Sequence, residues 1–262
     1  MAAAVVRTSK QRSLAPKEHG AYAQLGLPLL AALLMGRPTL LSALLVVGFA
    51  CALLAHEPAL VAAGRRGKRA RADDGARARR NLLAIVGVGA SALVVAFGLG
   101  TSELRTLLFL PAVFGAATTV LVVLDAERTS VGEHLAAATL SSTCVPVALA
   151  GGVPTREALF GWLVWVLGFF AAVSAVRGTI ATRKHGARLW ARLTPVLAAA
   201  GSAVALATLR LCPAWVPVAA SPMLAGGLVL AAFPPPPRAL TRVGWTLVVA
   251  GLATTVLVVV RP

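Results

Sequence analysis

Acidic residues are scarce in this chain. Only 9 of its 262 residues are Asp or Glu, against 25 Lys and Arg, and charged residues of both signs reach 13%, where soluble domains carry about a quarter. The three cysteines, Cys51, Cys144 and Cys212, form no CxxC pair and sit in or beside apolar stretches. That excludes a disulfide framework and leaves them as small buried apolar residues. Aromatics make up 5%, with a single tyrosine, Tyr22, and none is interleaved with the basic run Arg65–Arg80. Without such a stacking platform the net charge of +16 points to no nucleic-acid partner. HExxH motifs, closely spaced His pairs and runs of aspartates are also missing, so any metal or acid/base site must be assembled from separate segments.

What remains is apolar. Hydrophobic residues make up 58% and the mean hydropathy is +0.83, which defines a polytopic, all-helical membrane protein. Apolar runs predict nine spans, near 21–36, 39–56, 82–99, 105–124, 134–150, 158–176, 189–209, 214–233 and 243–260. This layout predicts a single integral membrane domain over residues 1–262, with 1–20 as a cytoplasmic tail. The tail has basic residues but no continuous apolar core, so no cleavable signal is expected. The first span is short and contains Gly26 and Pro28, which predicts a tilted or partly re-entrant entry. The Pro234–Pro237 run reads as a stiff loop before the last span.

Counting Lys and Arg in alternate loops places 20 of the 25 on the side of the N-terminus. The positive-inside rule then predicts a cytoplasmic N-terminus, an external C-terminus and insertion in the bacterial inner membrane. Eight of these cations lie between Arg65 and Arg80, a stop-transfer and headgroup-facing surface. Arg65-Arg66-Gly67-Lys68 leaves a phosphate-binding role open. The same sorting places all four histidines and seven of the nine acids inside, although acids and neutral histidines contribute little to the rule.

Three of the four histidines have a glutamate neighbour, each pair at a span boundary: Glu18-His19, His56-Glu57 and Glu133-His134. Imidazole and carboxylate together can relay protons, act as acid and base, or hold a divalent metal. Glu18 and Glu133 suit the positive end of a helix, and Glu18 is four residues before Tyr22, one turn away if the helix continues. Glu57 reads as a carboxylate at a helix C-terminus, against the dipole, so His56 and Glu57 are the best metal candidates. Asp125 and Arg128 have ion-pair spacing. Arg177 follows a long apolar run, with Lys184 seven residues on, either as an anchor or as an anion clamp. His185, in a basic loop without an acidic neighbour, is left out of the site.

Pro16-Lys17-Glu18-His19-Gly20-Ala21-Tyr22, His56-Glu57-Pro58 with Gly64-Arg65-Arg66-Gly67, and Arg177-Gly178 together resemble the YwiC-like family of bacterial membrane proteins. The resemblance implies an integral membrane protein and no particular reaction. Polar clusters after spans two, four and six also give a layout similar to UbiA-type prenyltransferases. Members of that superfamily hold magnesium and a prenyl diphosphate on two aspartate-rich motifs. Here span two ends in His56-Glu57, and Arg177 to Arg192 contains no acid, so a two-motif magnesium site is not expected.

The expectation is therefore an all-α bundle with a cytoplasm-facing cavity that binds or processes a lipid or isoprenoid-type, anionic amphiphile. Glu18, His19, His56, Glu57, Glu133 and His134 are the acid/base candidates. Arg177, Arg183, Lys184, Tyr22 and Asp125 are the substrate-binding candidates. Membrane lipids are the expected partners; oligomeric state and reaction are left open. A transporter with the Glu-His pairs as a gate, and an assembly scaffold without a small-molecule site, are the competing classes.

Overall fold

The computed structural model describes residues 13–16, 19–186, 188–236 and 240–261; the side chains of His19, Arg183, Lys184, His185, Leu240 and Thr241 lie outside that description. The described residues form ten helices and no strand: α1 His19–Met35, α2 Leu40–Ala62, α3 Lys68–Leu99, α4 Ser102–Val123, α5 Ser130–Ser142, α6 Cys144–Ala150, α7 Thr155–His185, α8 Leu189–Thr208, α9 Trp215–Ala232 and α10 Leu240–Val260. Seven of them are long and apolar enough to cross a membrane. In lipid only a helix or a closed barrel satisfies its own backbone, and the protein is a multi-pass helical membrane protein. At 17 residues, α1 is about 25 Å long, short of the ~30 Å hydrocarbon core.

The predicted boundaries move in four places, one of them the end of α7, which runs on from the expected 176 to His185. Helix α2 continues past His56 and through Pro58 to Ala62. The basic stretch expected as a loop is helical from Lys68, supported by Arg77–Asp74 at 2.8 Å and Arg69–Asp73 at 3.7 Å, three and four residues apart. The expected span 134–150 is two helices meeting at Thr143. Pro146 explains the break, because its ring cannot donate to the Ser142 carbonyl and clashes with it. Buried Ser141, Ser142 and Thr143 turn their hydroxyls onto carbonyls three residues back.

The chain divides into two compact units. The first combines the described part of Met1–Lys17 with Val47–Val94, and so holds the C-terminal part of α2 and the N-terminal part of α3. Small residues bring these helices together: a Cβ on Gly89 would fall 2.6 Å from Cys51 Cβ.

The second unit, Glu18–Val46 with Val95–Pro262, is built around α7 and α9. Gly227 sits so near α7 that a Cβ there would meet the Ala171 carbonyl at 3.2 Å. One end of this unit gathers Arg37, whose N–H reaches Gly151 O at 2.9 Å, Thr39 on Ala150 O, and Thr155 on the Glu103 carboxylate. The other end holds the start of α5, the end of α7 and the start of α8, joined by contacts from Arg177 to Glu133 and from Gly178 to Arg192.

Candidate functional site

In the first unit, Glu57 is 2% exposed and His56 on the same turn is exposed. Arg66 donates to both Glu57 carboxylate oxygens, Nε at 3.2 and 3.1 Å and Nη2 at 2.6 Å. The reversal that returns Arg66 to α2 uses Gly64 at φ +80° and Gly67 at φ +100°, conformations that suit residues without a Cβ. A carboxylate inside an apolar bundle needs such a fork. The dipole argument for Glu57 changes accordingly, since the helix runs five residues beyond it.

Beside this pair is a cavity of about 340 Å³. Leu14, Ala15, Leu54, Pro58 and Ile85 supply apolar surface; Ser13, Arg77 and Asn81 supply the polar groups. Its volume is at the small end of ligand sites, and its lining has their usual mixture of apolar walls and a few polar groups.

In the second unit, Thr129 caps α5 by accepting from Gly132 N–H at 3.1 Å. This places Glu133 in the first turn, and its carboxylate meets Arg177 Nη1 at 2.9 Å. The same guanidinium nitrogen donates to the Arg128 carbonyl at 3.2 Å. His134 lies one residue further along α5. Its Nδ1 is 2.6 Å from the Ser130 carbonyl, and its Nε2 is 2.9 Å from the Ser174 hydroxyl. A carbonyl only accepts, so Nδ1 carries a proton. Ser174 on α7 is buried and was not among the sequence candidates; Ser in an apolar run gives no signal until a partner helix supplies the imidazole.

The structure thus brings Glu133, His134 and Arg177 to one end of the second unit, and His56 and Glu57 into the first. Tyr22 on α1 is exposed at 38%. Asp125 is exposed and left-handed at φ 56°, where it turns the chain after α4; aspartate tolerates that region better than most residues. Glu18 and the side chains of His19, Arg183 and Lys184 lie outside the described residues. Helix α7 does continue to His185, which gives Arg177 and Lys184 the helical spacing their separation suggested. Among the described residues no three His, Cys, Asp or Glu gather as a metal-ligand set.

A second arginine stands out that the sequence reading counted only as loop charge. Arg192 lies in the first turn of α8 and is 8% exposed. Its signal was present: a cation at the positive end of an otherwise apolar helix opposes the dipole.

The family model for YwiC-like proteins matches residues 15–149. The chain belongs to the YwiC-like family. The match covers the Val47–Val94 part of the first unit, together with Glu133 and His134, and stops before α7. Ser174, Arg177 and Arg192 of this YwiC-like protein are therefore outside the matched region. No curated protein and no solved structure matches the chain.

Proposed function

We propose that this YwiC-like protein binds, and through its His-Glu groups processes, a lipid or isoprenoid-type amphiphile at the cytoplasmic side of the bacterial inner membrane. The cavity between α2 and α3 carries the reading. Its apolar wall of Leu54, Pro58 and Ile85 suits a hydrocarbon chain, and Arg77 and Asn81 suit a polar or anionic head. His56 and Glu57 lie in the chain between the lining residues Leu54 and Pro58. The excess of Lys and Arg beside this segment favours a cytoplasmic orientation, with the N-terminus inside and the C-terminus outside. Extraction of lipid from the purified protein, with elemental analysis of the same sample, tests the reading. About one retained chain-bearing lipid per protein is expected, and none would contradict it. A bound divalent metal in that sample would add a cofactor.

One observation favours transport as a second reading. The α5–α6 break carries three buried hydroxyl residues, Ser141, Ser142 and Thr143, and interrupted helices form ion and substrate sites in transporters. Their hydroxyls are already engaged with carbonyls, which weighs towards structure. Ion flux in proteoliposomes that falls on Thr143→Val would favour transport.

A further inference from the structure

The start of α8 has an excess of positive character. Arg188 occupies its N-cap, where Ser, Thr, Asp or Asn is usual, and no side chain caps the first turn. The first backbone N–H groups of a helix lack intrahelical partners and carry the positive end of its dipole. Arg192 adds a full charge in that same turn and is 8% exposed. Its Nε and Nη1 are sealed from solvent, with no hydrogen-bond partner.

The arginine stem is fixed. A Cβ on Gly178 of α7 would meet Arg192 Cγ at 3.1 Å and Cβ at 3.3 Å, so glycine at 178 provides the groove in which the stem lies. Helical side chains lean towards their own N-terminus, which brings the guanidinium over the uncapped turn. No acid follows Glu157 anywhere in the sequence, and the Glu133 carboxylate at this end is paired with Arg177 at 2.9 Å. A buried guanidinium is stable only when paired and hydrogen-bonded.

We infer that the Arg192 guanidinium and the first turn of α8 form a binding site for a phosphoryl group. Two unpartnered guanidinium nitrogens beside a first helical turn without a side-chain cap match the several oxygens and multiple charge of a phosphate or diphosphate. The phosphoryl group comes either from a lipid headgroup or from a small soluble phosphate ester. The site lies in the second unit and does not depend on the cavity between α2 and α3.

Thermal melting of the full-length, delipidated protein tests the assignment. One arm adds inorganic pyrophosphate; the other adds mixed micelles of phosphatidic acid, with diacylglycerol of the same chains and oleate as controls. At least one phosphate arm raises the melting temperature by several degrees, and diacylglycerol does not. A response to pyrophosphate identifies a soluble source, and a response to phosphatidic acid alone identifies a headgroup. Arg192→Met weakens the response at least tenfold, whereas Arg210→Gln, at an exposed arginine on the opposite end of α8, leaves it intact. Without ligand, Arg192→Met melts at or above the parent protein, because an uncompensated buried charge has been removed. The assignment is overturned if neither arm responds, if the response survives Arg192→Met, if oleate micelles match phosphatidic acid, or if ligand-free Arg192→Met melts below the parent.

Discussion

Glu57 and Arg66 concentrate the energetics of the first unit in one fork. Removing one member of a buried pair takes away the other's main hydrogen-bonded counter-charge, which costs up to about 3–5 kcal/mol. Arg66→Ala should therefore destabilise the protein by roughly that amount, and adding Glu57→Ala should recover part of the loss. A double-mutant cycle measured by reversible unfolding in micelles checks this; additive losses would mean that the pair is not coupled. His134 and Ser174 differ, being a polar contact between helices in an apolar medium. Their coupling should be about 0.6 kcal/mol and no more than ~1.7 kcal/mol. A far larger activity loss than stability loss on Ser174→Ala would instead assign the pair a chemical role. At this scale the sequence was only partly legible. The misfit of a carboxylate near the end of α2 was visible, but the partner nine residues away depends on a turn through Gly64 and Gly67. Arg192 was visible as a cation set against the helix dipole, but its burial was not, because that depends on the groove at Gly178.

The helices follow from apolar runs, and their register follows from small residues. At Gly227 a side chain would enter the Ala171 backbone, which cannot move aside as a flexible side chain can. Gly227→Leu should separate α9 from α7 and lower the melting temperature of the whole protein, whereas Gly244→Leu, where a Cβ meets nothing within 4 Å, should have little effect. Equal losses at the two positions would remove the packing argument. Apolar patterning identified every crossing element but not the ends of α2, α3 and α7. Polar residues continue these helices beyond the apolar runs, and i,i+3 or i,i+4 ion pairs sustain α3 where hydrophobicity gives no signal. The α5–α6 break was hidden for the opposite reason, since Pro146 is tolerated within many membrane helices and apolar content continues across it.

Across the molecule, the distribution of cations implies a direction of insertion. Reporter fusions after Arg80 and after Arg183 should report the cytoplasm, and a fusion after Thr101 the opposite side. The reverse pattern would invert the proposed orientation of the cavity. Family membership covers residues 15–149 and leaves the function to be argued from the residues. The central claim is that the cavity between α2 and α3 holds an amphiphile, and native mass spectrometry after detergent washing tests it most directly. The parent protein should retain a lipid adduct. Ile85→Trp, which fills the cavity from α3, should lose that adduct while keeping its helical content and melting cooperativity. An adduct retained at the same level in Ile85→Trp, or absent from the parent protein, would contradict the account.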